Sequence, residues 1–406
     1  MNKIKVLKKR AAVCGCVFIA FVIIIFGLSK GYAQNLVYGT PDLHFYSVQE
    51  IDSLLNKKPE CLQGYFSNQK GYLTKVDAAG REFLDTTFTI EQIRIPSDSF
   101  MINGWLYLPL GTGKHPLIVL TNGGGDDSRP IKSLSEWIAP IFSHCGIAAF
   151  VHDKRGTGES GGDFAKTTYE DYIRDAGNCA HWLSKHPKID SMKLGVMGGS
   201  EGGRIAVIAA CRYPEIKFVI SQAGTVVTAI DDRLNAQLNG MVEGGILNDS
   251  MKEIVRPLWE KSFKAWASHN PAEHEKVNLE IYEWRKKFNS DILPFTKHEM
   301  DSIPEFRVLL PTWNSLGFDY MSEMTSFSKK WLAIFGEEDR VVPTAASVKN
   351  IVHYMTLSGN KDYSIAVIPD CGHSPVNIKT KRMIRLENLI FDWLDNNVIN
   401  EMPKTK

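Results

Sequence analysis

The sequence has almost no net charge: 47 Lys and Arg stand against 46 Asp and Glu in 406 residues, a formal +1. That balance leaves no electrostatic footprint for nucleic acid, and no nucleic-acid partner is expected. Cysteine is scarce, at seven, and none falls in a metal-type spacing, which excludes a disulfide-dense scaffold and a zinc module. His181 and His186, like His269 and His274, lie five apart and off the H-E-x-x-H pattern, so no metal and no other cofactor is expected. Repeats and low-complexity stretches are missing. With 44% hydrophobic and 23% charged residues the chain is ordinary globular material. Its length allows one large domain with an insertion, or two or three modules.

What charge bias exists sits at the start. Residues 1–33 carry six Lys or Arg and no acid, leaving 41 bases against 46 acids in the remainder. A basic head (Lys3, Lys5, Lys8, Lys9, Arg10) precedes 18 uncharged residues, Ala11–Leu28, and small residues stand at Gly31 and Ala33. This is the layout of a signal peptide, with cleavage expected after Ala33. The body is then expected to be secreted or periplasmic. The apolar run also just reaches the ~18 residues of a spanning helix, so an outward-facing anchor over residues 11–28 is the alternative. Membrane contact is expected only in that case. Five cysteines remain beyond the leader: Cys61, Cys145, Cys179, Cys211 and Cys371. At most two bridges can form, and spacing does not choose the pairs.

Beyond a weakly periodic lead-in over residues 34–85, two extended segments open the ordered body. Phe88–Ile95 alternates and Ile102–Pro109 follows, as an antiparallel pair would. Short apolar runs then recur at Leu117–Leu120, Ile147–Val151, Leu194–Met197, Phe218–Ser221, Trp331–Phe335 and Ile365–Ile368. Runs of that length suit strands buried on both faces. Between them Ile131–His144, Tyr169–Lys185, Arg204–Cys211, Thr344–Thr356 and Lys381–Val398 have helical spacing. The expected class is therefore α/β, a mostly parallel sheet of eight strands with helices on both faces. The rhythm breaks between Gly224 and Phe327, where the texture is charged and helical and holds Trp259, Trp266, Trp284 and Trp313. The expected organisation is a first core part over 86–225, an inserted helical cap over 226–327, and a second core part over 328–406. A second domain packed elsewhere is the other reading. The four Trp fit equally a lining for a bulky substrate group or the cap's own core.

Gly198-Gly-Ser200-Glu-Gly202 matches G-x-S-x-G, and so does Gly158-Glu-Ser160-Gly-Gly162. Context separates them. Ser200 stands between a strand pattern and a helix pattern, the turn that lifts a serine above a sheet and sets a helix N-terminus beneath it. Ser160 has loop on both sides and is expected to be structural. Gly156-Thr-Gly-Glu-Ser-Gly161 also matches a dinucleotide fingerprint, but no helix pattern follows it to receive a pyrophosphate.

A serine nucleophile needs a base held by a third group. His373 lies in the turn Asp370-Cys-Gly-His-Ser-Pro375 directly after the last strand. Asp339 follows the penultimate strand in Gly336-Glu-Glu-Asp-Arg-Val-Val-Pro343, with Glu337 and Glu338 as alternative acids. Both fall at carboxyl ends of strands, where open α/β sheets keep their sites. The oxyanion donors are expected to be the backbone N–H of Glu201 and that of Gly124, with Gly125 second, in the loop Thr121–Asp126.

These motifs, in the order Ser, Asp, His, resemble the α/β-hydrolase superfamily from about Thr87 to Leu394. The elbow Gly-Gly-Ser-Glu-Gly-Gly looks like the G-H-S-E-G-G of secreted bacterial esterase-like members, grouped with dienelactone-hydrolase and serine-aminopeptidase relatives. Asp153-Lys-Arg-Gly-Thr-Gly-Glu-Ser is similar to the family's D-x-R-G-x-G-x-S turn, and Gly336–Pro343 to its G-x-x-D-x-x-V-P loop. Gly199 and Asn122 stand where many members carry His. The resemblance implies a serine hydrolase of small-molecule carboxylic esters. A peptide substrate is the alternative, its free amine bound by Glu201, Asp126, Asp127 or a cap acid. A catalytically silent binding protein is a third reading. Nothing in the sequence fixes the oligomeric state.

Overall fold

A computed structural model describes residues 44–62, 65–67, 73–75, 87–125, 138–296, 299 and 310–400. The leader, most of 34–85 beyond its first elements, and Asp126 and Asp127 lie outside these residues.

The chain enters through helix α1 (Val48–Asn56) and a short antiparallel pair, β1 (Tyr65–Ser67) and β2 (Leu73–Lys75). The main sheet follows as β3 (Phe88–Ser97), β4 (Phe100–Pro109), β5 (His115–Thr121), β6 (Ala148–His152), β7 (Ile189–Gly199), β8 (Phe218–Gln222), β9 (Lys330–Gly336) and β10 (Tyr363–Ile368). Their order across the sheet is β10-β9-β8-β7-β5-β6-β4-β3. β3 pairs antiparallel with β4, and β4 with β6; every later neighbour is parallel. The six apolar runs are the six parallel strands.

Alternation within the runs explains why they are apolar throughout. Leu117 and Val119 of β5 face one core and Ile118 and Leu120 the other. In β9 Trp331, Ala333 and Phe335 face the first, Leu332 and Ile334 the second. The first core is closed by α3 (Tyr169–Leu183), α4 (Glu201–Arg212) and α9 (Thr344–Ser358), the second by α1, α2 (Ala139–His144) and α10 (Leu386–Leu394). A strand covered on both sides has no solvent face to mark with polar residues.

Two features escaped the sequence pattern. The β1–β2 pair has strands of three residues each, too short for an alternation to register. The last helix was expected from Lys381 but begins at Leu386. Residues 376–384 instead fold back on themselves: Val376 bridges Met383, Asn377 N–H donates to the Arg382 carbonyl, and Ile384 N–H to that of Pro375. Lys381, at φ +61°, makes the reversal that no helix could contain.

Between β8 and β9 lie α5 (Ala229–Glu243), α6 (Asp249–Ser268), α7 (Pro271–Trp284) and α8 (Leu310–Asn314). They share a core of their own, with Leu234, Leu238, Leu258, Trp259, Phe263 and Trp313 buried in it. Trp259 donates its indole N–H to the Ile292 carbonyl at 3.0 Å. Trp266 and Trp284 pack against the same core. The four Trp therefore stabilise the insertion itself.

Cys61 and Cys145 are disulfide-bonded across a sequence separation of 84, while Cys179, Cys211 and Cys371 are free. The bond ties the segment after α1 to the end of α2. Closing a loop of that length limits the unfolded chain, worth about 4 kcal/mol on the entropy model. Cys61→Ser is expected to lower stability by up to that amount in denaturant unfolding, and added reductant to do the same to the wild type alone.

Candidate active site

The chain runs outward from β5 to β6, then returns to the other side of β5 as β7. That reversal splays the β5 and β7 exit loops apart and opens a crevice at the carboxyl edge of the sheet. Ser200 stands at the end of β7 and the glycine loop at the end of β5.

Ser200 has φ +56° and ψ −123°, a conformation side chains rarely adopt, costing about 1–3 kcal/mol. The turn is held there by Ser200 N–H donating to the Gln222 carbonyl at 2.8 Å and by α4 beginning immediately after it. Crowding explains the glycines around it. A Cβ on Gly202 would come within 2.4 Å of the Thr121 carbonyl oxygen, and one on Gly198 within 2.3 Å of Thr121 Oγ1. Because the Ser200 hydroxyl does not cap α4, it remains at the head of the helix rather than folded onto it.

Asp339 follows β9 and His373 follows β10. Nδ1 of His373 lies 2.9 Å from Asp339 Oδ2, and the carboxylate is fully buried. Its other oxygen accepts the backbone N–H groups of Val341 at 2.8 Å and Val342 at 2.9 Å. Two backbone donors and one ring fix the acid's orientation. A carboxylate only accepts, so Nδ1 carries the proton and Nε2 is left with a free lone pair. Burial lowers the His373 pKa, but the hydrogen bond and charge of Asp339 outweigh it, with Asp232 adding to them, and the net shift is upward. Of the two alternative acids, Glu337 accepts from Asp370 N–H at 3.4 Å and the backbone N–H of Glu338 bonds the Cys371 carbonyl. Asp339 is the acid on the histidine.

The glycine loop passes close to Ser200: a Cβ on Gly123 would lie 4.0 Å from Ser200 Cβ. Its shape is set by a residue that sequence reasoning did not single out. Lys154, buried behind the edge, donates to the carbonyls of Gly123 and, at 3.3 Å, of Gly125. Carbonyl and N–H of one planar peptide point opposite ways, so holding Gly123 C=O inward turns the Gly124 N–H outward. Lys154 also pairs with Glu201 at 2.9 Å, with both side chains buried, and stands 5.0 Å from the Tyr172 ring centre. Thr312 of α8 donates to the other Glu201 oxygen at 3.3 Å. One ammonium thus joins the two segments expected to supply oxyanion donors. The available signal was a lysine directly after a buried strand, between Asp153 and Arg155. Removing one partner of a buried pair leaves an uncompensated charge. Lys154→Met is expected to cost about 3–5 kcal/mol in thermal or denaturant unfolding. Lys154→Met with Glu201→Leu should recover most of it.

The neighbouring motif is structural, as expected. Ser160 Oγ accepts from Asn103 N–H at 2.9 Å and donates to the Asp153 carbonyl at 3.0 Å. Asp153 accepts the Glu159 N–H, and Arg155 is paired with Asp175 at 2.6 Å and Asp98 at 2.8 Å. Only a three-residue 3-10 turn, Phe164–Lys166, follows the glycines.

The insertion rests on this edge. Buried Arg204 of α4 pairs with Asp232 of α5 at 2.5 Å, and Asn235 and Asn239 donate to the carbonyls of Arg340 and Val341 in the acid loop. A cavity of about 600 Å³ opens between α5 and α9, lined among others by Thr228, Asp231, Asn235, Pro343 and Asn350.

The fold aligns with acylaminoacyl peptidase of Pyrococcus horikoshii at a TM-score of 0.50 and 15% identity, over 84% of this chain and 48% of that one. The family model of X-Pro dipeptidyl-peptidase (S15 family) matches residues 98–247, and that of the BAAT / acyl-CoA thioester hydrolase C terminal matches 176–376. The chain belongs to the α/β-hydrolase superfamily. An uncharacterized 31.7 kDa protein in the traX-finO intergenic region of Escherichia coli is 31% identical over 115 residues, 28% of this chain and 39% of that protein. Thiohydrolase aneE of Aspergillus aculeatus is 30% identical over 126 residues, 30% of this chain and 38% of that one. The matched part of this α/β-hydrolase chain thus spans about two fifths of the length of these curated relatives.

Proposed function

We propose that this chain is a serine hydrolase that cleaves carboxylic esters through an acyl-enzyme on Ser200. The observation that carries the reading is the 2.9 Å contact of His373 Nδ1 with buried Asp339, at the sheet edge where Ser200 sits at positive φ. In this reading Ser200 Oγ attacks the acyl carbon as His373 Nε2 takes its proton. The Glu201 and Gly124 N–H groups bind the oxyanion, and His373 returns the proton to the leaving oxygen. Water, deprotonated by the same nitrogen, then releases the acid.

Thioesters are the second reading, favoured by one observation: the thioester-hydrolase match over 176–376 spans Ser200, Asp339 and His373 alike. The peptidase match, over 98–247, spans only the first of them. An aminopeptidase also needs an acid for the substrate's amine. Glu201 is committed to Lys154 and Thr312, which argues against it in that role. p-Nitrophenyl butyrate, an aryl thiobutyrate and leucyl p-nitroanilide, which carries the free amine an aminopeptidase binds, test the ranking. Oxoester and thioester turnover should exceed that of the anilide by at least about 10²-fold. An anilide cleaved fastest would overturn the ester reading.

We propose further that the protein is exported, with residues 1–33 removed. The Cys61–Cys145 bond supports an oxidising compartment. The N-terminal mass of exported protein is expected to start at Gln34; an intact leader would show that the segment is retained.

A further inference from the structure

Three of the most deeply buried arginines show what this fold does with such a charge, and one breaks the pattern. Arg155 holds Asp175 and Asp98, and Arg204 holds Asp232. Arg233 of α5 is 5% exposed, and no acid among the described residues pairs with it. Its Nη2 donates to the Gln237 amide oxygen at 3.2 Å, and its Nε has no partner. The guanidinium lies 5.8 Å from the Trp313 ring centre, and the Trp313 indole N–H, also buried, has no partner either. A buried cation without an anion is costly, and so is each unsatisfied buried donor. Here both costs fall at one place.

That place lies over the catalytic edge. Trp313 follows Thr312, whose hydroxyl touches Glu201 beside the nucleophile. Arg233 follows Asp232, which holds Arg204, and precedes Asn235, which holds the acid loop. The Arg233–Trp313 contact thus joins the helix resting on Glu201 to the helix resting on the Asp339 loop. Glu201 directly follows Ser200 and Arg340 directly follows Asp339, so each support adjoins a residue of the candidate site.

Resting on the hydrolase reading above, we propose that Arg233 and the Trp313 indole N–H bind a carboxylate on the substrate. The substrate class is then an ester that carries a second, free carboxylic acid. A guanidinium presents paired N–H groups that match the two oxygens of a carboxylate, and the indole supplies one donor more. The ligand would provide the anion that the chain itself leaves out.

The test is binding to the Ser200→Ala protein, which needs no turnover. Monomethyl adipate carries its acid on the acyl side and 6-acetoxyhexanoate on the alcohol side; each is compared with its neutral methyl ester by calorimetry. One of the two acids is expected to bind at least about ten-fold more tightly than its methyl ester. Adding Arg233→Gln should bring the acid's affinity down to that of the ester, and Arg233→Lys should keep part of the preference. Equal affinity of acid and methyl ester in both pairs overturns the proposal, whether or not the arginine variants fold. A clear preference for acid in a protein whose wild type cleaves no ester would uphold the binding site and fail the hydrolase reading instead.

Discussion

Ser200→Ala is expected to remove ester turnover almost completely, by about 10⁶-fold in kcat, and His373→Ala to do nearly the same. The reason is mutual dependence. A serine hydroxyl at neutral pH is a weak nucleophile until a base accepts its proton, and the imidazole accomplishes nothing without a hydroxyl to deprotonate. The double variant should therefore be no worse than either single one, a non-additivity that independent contributions would not produce. KM for the residual reaction should change little, because neither group is needed to seat the substrate. Neither change should unfold the protein: Ser200→Ala removes a hydroxyl that caps nothing, although alanine inherits the strained φ of +56°. Initial rates with p-nitrophenyl butyrate give the comparison directly. Full activity in Ser200→Ala would move the nucleophile elsewhere. Ser160 could not take its place, since its hydroxyl is buried and bonded at both ends.

Asp339→Asn should lower the plateau rate by about 10⁴-fold and move the pH profile as well. The sign follows from which form works. His373 must be neutral to accept a proton, so activity falls as pH drops through its pKa. In the wild type burial opposes the charged imidazole, yet Asp339 overrides it by hydrogen bond and charge, and Asp232 assists. The acid limb of kcat/KM should then lie above the ordinary histidine value of ~6.5. Asparagine takes away the charge and leaves the burial, so the limb should shift to lower pH. The amide can also present its N–H₂ to the ring and select the wrong tautomer, which is where the loss of rate originates. A pH–rate profile of both proteins tests this. An Asp339→Asn protein with an unmoved acid limb would point to Glu337 or Glu338, the other carboxylates of the same turn.

The parts of this molecule that were legible in its sequence are those where local chemistry and tertiary position coincide. Leu117–Leu120 and Trp331–Phe335 read as strands because burial on both faces leaves nothing but apolar residues to write. Ser200 was separable from Ser160 because its turn joins a strand to a helix, and Asp339 and His373 because each follows a strand by a few residues. What stayed hidden depends on partners far away in the chain. Lys154 meets Glu201 across 47 residues, and its place after a buried strand hints at burial but names no partner. Cys61 could have paired with any of four others. The Trp of the insertion were compatible with a lining or a core until the rings of Trp259 and Trp313 proved buried in the insertion's own core, Trp313 with its indole N–H left unpartnered. The helix expected from Lys381 failed for a related reason: the periodic pattern was there, but backbone pairing of 376–384 claimed its first turn.

Covalent labelling tests the central claim most directly. A fluorophosphonate is attacked by a serine only where a base activates it and donors receive the oxyanion, so one adduct reports the whole arrangement. Protein lacking residues 1–33 is incubated with the probe and the adduct mapped by peptide mass. The predicted result is a single modification on Ser200, absent in Ser200→Ala and greatly slowed in His373→Ala. No adduct on folded wild-type protein, or the same adduct in the Ser200→Ala variant, would contradict the assignment of Ser200, His373 and Asp339 as a working triad.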